Sequence, residues 1–312
     1  MEILLNVLLL IIGFVILIKS ADFFVDGASS IAGIFKVPAV VVGLTIVAFG
    51  TSAPEAAVST TAALSGSNAI AVSNIIGSNI FNLLLVLGST ALLAIVPVPR
   101  SIADREFPFL LVISILMLIF IYTGFGISRI EGIIFLFLLA AYVINLIMHA
   151  LKNRLVEEKE EIKFSLPISI VLVIGGITGV IIGGDLVVNN ASDLALALGW
   201  SEKLVGLTIV SLGTSLPELV TSLQAARKNQ VEIAIGNVVG SNVFNILFIL
   251  GLSTTISPIS VEPALMIDLI FMVFATLLTY GLCRFKEDLS KKDGLLLILF
   301  LLVYMVYIFI RN

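Results

Sequence analysis

The chain has 312 residues, 59% of them hydrophobic and 12% charged, with a mean hydropathy of +1.20. A soluble domain carries about 25% charged residues, so this composition describes an integral membrane protein with little soluble mass. A single cysteine, Cys283, excludes an internal disulfide, and its pairing with a single histidine, His149, excludes a Cys/His zinc cluster. A net charge of −4 with no basic stripe argues against a nucleic-acid partner.

A bilayer core takes about 20 apolar residues per helix. Ten such runs follow in chain order: 3–23, 38–63, 70–95, 107–124, 128–150, 166–188, 203–226, 232–257, 263–283 and 293–310. The first has the length of a signal peptide, but it opens on Glu2 instead of a positive charge and matches a later span, so it is read as a helix. Ten spans put both termini on one side. That side carries Arg129, Lys203 and Arg311, whereas the other carries 13 Lys and Arg residues from Lys36 to Lys292. The bias places the termini outside and the mixed-charge segment Lys152–Lys163 in the cytoplasm of a cell membrane. The expected organisation is a first half over 1–150, a linker over 151–165 and a second half over 166–312. The lipid bilayer is the one partner this pattern demands, and no obligatory protein partner is evident.

The two halves are one unit written twice. Residues 43–88 align without a gap on 206–251, at a constant offset of 163 (206 − 43 = 163; 218 − 55 = 163) and with about half the positions identical. The offset extends through Asp22 and Asp185. Five helices per half is an odd number, so the second half enters the membrane in the opposite sense. The expected fold is all-α, ten transmembrane helices in two inverted-topology repeats, with the ligand site near the midplane between them.

Each repeat carries one carboxylate at membrane depth, where an uncompensated charge is expensive and marks an ion or proton pathway by default. Glu55 lies in Gly50-Thr51-Ser52-Ala53-Pro54-Glu55 and Glu218 in Gly213-Thr214-Ser215-Leu216-Pro217-Glu218. The proline has no N–H, so the carbonyl four residues earlier loses its helical partner and the turn opens. Thr51, Ser52 and Glu55 fall three and four residues apart and share a face, as do Thr214, Ser215 and Glu218. The next helix of each half adds Ser78 and Asn82, then Ser241 and Asn245, with Asn74 and Asn237 one turn earlier on a nearby face. All are hard oxygen donors, suited to calcium or sodium rather than zinc or copper. One divalent cation neutralises both carboxylates, and so do several monovalent ions or two protons. A doubly charged empty site is costly to move past an apolar barrier, which favours obligatory exchange over free passage.

The pairs GTSAPE with GSNIFN and GTSLPE with GSNVFN resemble the two alpha-repeats of the cation/calcium antiporter superfamily, most closely its microbial sodium/calcium exchangers. The resemblance covers nearly the whole chain. It implies calcium and sodium as transported ions, no cofactor, and no enzymatic chemistry. It implies alternating access in which the first and sixth helices slide as a bundle across a rigid core. It also implies a metal-ligand set of Thr51, Ser52, Glu55, Ser78 and Asn82 with Thr214, Ser215, Glu218, Ser241 and Asn245, plus the backbone carbonyls of Ala48 and Ser211. Some relatives, the potassium-dependent ones among them, carry Asp where this chain has Asn245, which disfavours potassium cotransport here. The proton/calcium branch places an acid in the third and eighth helices, where this chain has none.

Simpler roles account for other features. Gly236-x-x-x-Gly240 and Ser73-x-x-x-Gly77 read as close helix contacts. Asp22 and Asp185 read as capping or interfacial residues at span ends, His149 as a solvated interfacial histidine, and Trp200 as part of the interfacial aromatic belt. The alternatives to sodium/calcium exchange are a proton/calcium antiporter and, from another class, a cation channel. A membrane hydrolase lacks support, because no nucleophile–histidine pair lies at membrane depth.

Overall fold

A computed structural model describes residues 2–66, 68–152, 162–199, 211–261, 263 and 265–311. The first span is one long helix, α1 (Glu2–Phe35), and it ends where Lys36 takes a left-handed backbone (φ 54°) ahead of Val37-Pro38. The second is broken: α2 (Ala39–Val42), a π-helical turn (Gly43–Val47), α3 (Ala48–Thr51), then α4 (Ala53–Leu64), bent by 48° at the break. The third runs as α5 (Asn68–Phe81), a π turn (Asn82–Val86) and α6 (Leu87–Leu93). Strand β1 (Val96–Pro97), a π turn (Ile102–Glu106), α7 (Phe107–Gly124), β2 (Gly126–Ile127) and α8 (Arg129–Lys152) complete the first half.

The second half opens with α9 (Leu166–Ala197), then α10 (Ser211–Gly213) and α11 (Leu216–Arg227). It continues with α12 (Val231–Phe244), a π turn (Asn245–Leu250), α13 (Gly251–Ile256) and β3 (Ile259–Ser260). It closes with α14 (Leu265–Phe285), β4 (Asp288–Leu289) and α15 (Lys291–Arg311). Among the described residues, eight helices are long and apolar enough to cross a bilayer, and nine if the bent pair counts as one span. The expected span 203–226, Lys203, Trp200 and most of the linker fall wholly or partly outside the described residues.

Two boundaries differ from expectation. The first and sixth helices run to Phe35 and Ala197, well past the polar residues at which the spans 3–23 and 166–188 were ended. Asp22 does not stop α1, because Lys228 at the end of α11 meets Asp22 and Asp26 at 2.8 Å each, and Lys163 meets Asp26 at 3.3 Å. Asp22 is thus an ion-pair partner inside a helix, not a cap, and Asp185 likewise lies in mid-helix.

Packing follows the repeat. α1 lies along α9, where Gly183 lets the helices approach until an added Cβ would sit 2.6 Å from the Leu17 nitrogen. α12 is buried almost all round and crosses the first half's broken span, where a Cβ on Gly236 would sit 2.5 Å from the Val40 carbonyl oxygen. Gly240 packs as tightly on Leu44, so the predicted small-residue contact is present. For Gly77 the offset puts the counterpart of Leu44 at Leu207, outside the described residues. Two short antiparallel clasps join the halves, β1 with β4 (Val96↔Leu289) and β2 with β3 (Gly126↔Ser260, Ile127↔Ile259). Adding 163 to 96 gives 259, and adding it to 126 gives 289, so the two clasps exchange under the repeat. At the opposite end of α14 and α15, buried Asp268 accepts from Arg311 at 2.8 and 3.0 Å and from the Tyr304 hydroxyl at 3.2 Å.

Candidate cation site

The two helix breaks meet at the centre of the molecule. At each, the residue before the proline-bearing helix leaves helical geometry: Ser52 has ψ 7° and Ser215 ψ 5°, with Pro54 and Pro217 in the first turn beyond. The local cause is the missing proline N–H. Glu55 and Glu218 follow in those first turns, and both are fully buried.

The breaks are laced together crosswise. Ser52 Oγ donates to Glu218 Oε1 at 3.1 Å, and Ser215 Oγ donates to Glu55 Oε1 at 3.4 Å. Ser241 Oγ also donates to Glu218 Oε1 at 3.4 Å, and Thr51 lies beside the same carboxylate. Ser78 neighbours Glu55, yet its hydroxyl makes no bond within hydrogen-bonding distance. Thr51, Ser52, Ser78, Asn82, Thr214, Ser215, Ser241 and Asn245 are all buried.

What is left unbonded defines the chemistry. Glu55 Oε2, Glu218 Oε2, Ser78 Oγ, Asn82 Oδ1 and Asn245 Oδ1 are buried oxygens without a hydrogen-bond partner. Buried polar atoms are normally satisfied, and each that is not costs about 1–3 kcal/mol. Two of these five oxygens are carboxylate and three are neutral, and all are hard donors. No group of three or more His, Cys, Asp or Glu side chains that could hold a metal lies among the described residues. The Ala48 carbonyl accepts from the Ser52 N–H at 3.0 Å and from the Thr51 hydroxyl at 3.4 Å. Ser211 opens α10, and its side chain lies outside the described residues.

A supporting layer had been only half read from the sequence. Asn74 and Asn237 are not free ligands. Asn74 Oδ1 accepts from Thr214 at 3.2 Å and its amide donates to Ser59 at 3.0 Å, while Asn237 accepts from Thr51 at 3.1 Å and donates to Ser222 at 3.0 Å. These bonds hold each threonine from across the repeat boundary. Ser59 and Ser222, one turn beyond the glutamates, obey the same 163 offset, and that was the signal by which they were findable.

The flanks of the two breaks differ. A cavity of about 380 Å³ between α9, α4 and α11 is lined by Asp185, Asn189, Ala53, Pro54, Gly213, Thr214 and Pro217 among others, so it reaches both breaks. At the repeat-related place, the Lys228 ion pairs tie α1 to α11.

A multi-span helical protein whose two repeats converge on a buried pair of carboxylates in a hard-oxygen cage is a membrane cation carrier in design. Residues 5–148 and 168–310 match the family described as sodium/calcium exchanger protein, one match in each half, and the chain belongs to that family. It is 41% identical over 264 residues to a putative antiporter, CaxA, of Alkalimonas amylolytica, covering 81% of this chain and 82% of the relative. It is 31% identical to the sodium/calcium exchanger MaX1 of Methanosarcina acetivorans, covering 97% and 98%. Among solved structures it superposes on the sodium-calcium exchanger NCX_Mj, soaked with sodium and calcium, at a TM-score of 0.86 and 30% identity, covering 97% of this chain and 98% of the other. The protein is therefore a microbial-type exchanger of the membrane, a transporter whose family moves sodium and calcium.

Proposed function

We propose that this chain is a secondary antiporter that exchanges sodium for calcium by alternating access, through ten spans in two inverted repeats. The observation that carries the reading is the crosswise cage: two buried glutamates, each held at one oxygen by a serine of the other repeat and each with its second oxygen unbonded. A divalent cation neutralises the pair at once, and sodium ions do so together. The ligands are Glu55, Glu218, Thr51, Ser52, Thr214, Ser215, Ser78, Asn82, Ser241 and Asn245, with the carbonyls of Ala48 and Ser211.

The difference between the flanks supports alternation: Asp185 and Asn189 of α9 border a cavity, while the repeat-related Asp22 and Asp26 of α1 are held by Lys228. The glycine-mediated approach of α1 to α9 supports their sliding as one body. The Lys/Arg bias supports external termini and a cytoplasmic linker in the cell membrane.

Calcium-45 flux in proteoliposomes, with sodium, potassium and proton gradients imposed separately, tests the reading. A sodium gradient should drive calcium at fixed pH. Drive by a proton gradient alone would favour the proton/calcium alternative, which two protonatable carboxylates also permit. Calcium current without counter-transport would indicate a channel.

A further inference from the structure

The reading above makes Asn245 a ligand, but an asparagine serves a cation only through its oxygen. The other end of the same amide carries two N–H donors and repels a cation. Something must decide which end faces the cage, because the two ends have nearly the same shape.

Asn79 is wholly buried in α5, beside the ligand Ser78, and it is not part of the ligand set. Its Oδ1 accepts a hydrogen bond from Asn245 Nδ2 at 3.3 Å, across the repeat boundary. Its own amide nitrogen is turned away onto the sulfur of Met272, at 3.6 Å. With Asn245 Nδ2 engaged in this way, Asn245 Oδ1 is left on the opposite side of the amide, and it is one of the buried oxygens with no partner. The methionine sulfur is an acceptor only, so it favours the Asn79 nitrogen at its end and the Asn79 oxygen at the end facing Asn245.

The repeat sharpens the point. Under the 163 offset Asn79 corresponds to Asn242 and Asn245 to Asn82. At that second pair all four amide atoms lack partners, so nothing sets the Asn82 amide as Asn79 sets Asn245. The residue corresponding to Met272 is Phe109, which offers no sulfur acceptor.

We infer that Asn79 is a positioning residue for cation binding: by accepting from Asn245 Nδ2 it fixes the Asn245 amide with its oxygen toward the cation, in one repeat only. The inference rests on Asn245 belonging to the site.

The test is a double-mutant cycle on the full-length protein in detergent, read as equilibrium calcium-45 binding. Asn79→Leu keeps the branched shape and removes the acceptor; Asn245→Ala removes the amide to be oriented. Losing one hydrogen bond's worth of orientation should raise the calcium Kd of Asn79→Leu about threefold to tenfold. Asn245→Ala should raise it at least as much, and adding Asn79→Leu to Asn245→Ala should change nothing further. A merely structural role for Asn79 would instead multiply the two effects, and that result overturns the inference. A Kd unchanged in Asn79→Leu while Asn245→Ala binds weakly also overturns it and leaves the site intact. A Kd unchanged in Asn245→Ala removes Asn245 from the site, and the inference falls with that part of the functional reading. Size-exclusion profiles verify assembly, and Asn79→Ala repeats the cycle if the leucine variant does not assemble.

Discussion

Two regions descended from the same segment have diverged in this molecule. Around Asp22 and Asp26, α1 is tied by Lys228 at 2.8 Å to each carboxylate. Their counterparts at the 163 offset are Asp185, Asn189 and Ser65, and there Asp185 and Asn189 border a cavity of about 380 Å³ that reaches Thr214 and Pro217. Within the cage the repeats instead agree nearly residue for residue, as the paired bonds of Ser52 to Glu218 and Ser215 to Glu55 illustrate. The cage keeps its symmetry. The flanks face different surroundings and do not.

The largest effect should come from the part that agrees. Glu55→Gln and Glu218→Gln each remove half the negative charge available to calcium. Loss of one partner of a buried charge interaction is worth roughly 3–5 kcal/mol, a fall of about 10²–10³-fold or more in affinity. Calcium-45 exchange should vanish in both variants; near-normal exchange in either would show that the glutamates do not share a site.

Next comes a place where the repeats differ, Gly236 against Ser73. Gly236→Ser drives a Cβ to 2.5 Å from the Val40 carbonyl and should lower stability by roughly 1–3 kcal/mol, by overpacking. Ser73→Gly, at a position bordering a small cavity beside Tyr304, should lose only about 0.5 kcal/mol of helix propensity. Thermal unfolding of the two proteins side by side measures the contrast, and equal shifts would remove it.

Lys228→Met should have a smaller effect still. The ion pairs are partly exposed and worth about 1 kcal/mol, a shift of a few degrees in the unfolding midpoint. The deficit should shrink as salt screens the wild-type attraction. A deficit that persists at 1 M salt would mean the lysine acts by packing.

The subtlest test restores an acid that Asn245 replaces. Asn245→Asp should make calcium affinity rise more steeply with pH than in the parent, because the added carboxylate binds calcium only when deprotonated. A calcium-binding pH profile identical to the parent would place residue 245 outside the cage.

Particular residues show how far the sequence could be read. Glu55 and Glu218 were legible because a carboxylate in an apolar helix has few purposes and because each has a twin. Ser52, Ser215, Ser78 and Ser241 followed from three- and four-residue spacing. Asn74 and Asn237 were legible as oxygen donors on a nearby face but their bonds to Thr214 and Thr51 were not, since spacing gives direction and not the partner at the far end. Lys228 read only as one positive charge among 13. Its ion pairs with Asp22 and Asp26 span 206 and 202 residues of chain, beyond any local pattern (228 − 22 = 206; 228 − 26 = 202).

The amino-acid sequence by itself determined the membrane setting, the duplication, the helix breaks and the identity of the charged groups. Each of these depends on composition, on a constant offset, or on proline chemistry within one turn. Tertiary structure alone decided which serine meets which glutamate, that Asn79 reaches Asn245, and that Lys228 ties Asp22 and Asp26 while Asp185 and Asn189 border a cavity. Those outcomes depend on how two copies of one unit are set against each other, and the energy that selects them lies in contacts between residues about 163 or more positions apart.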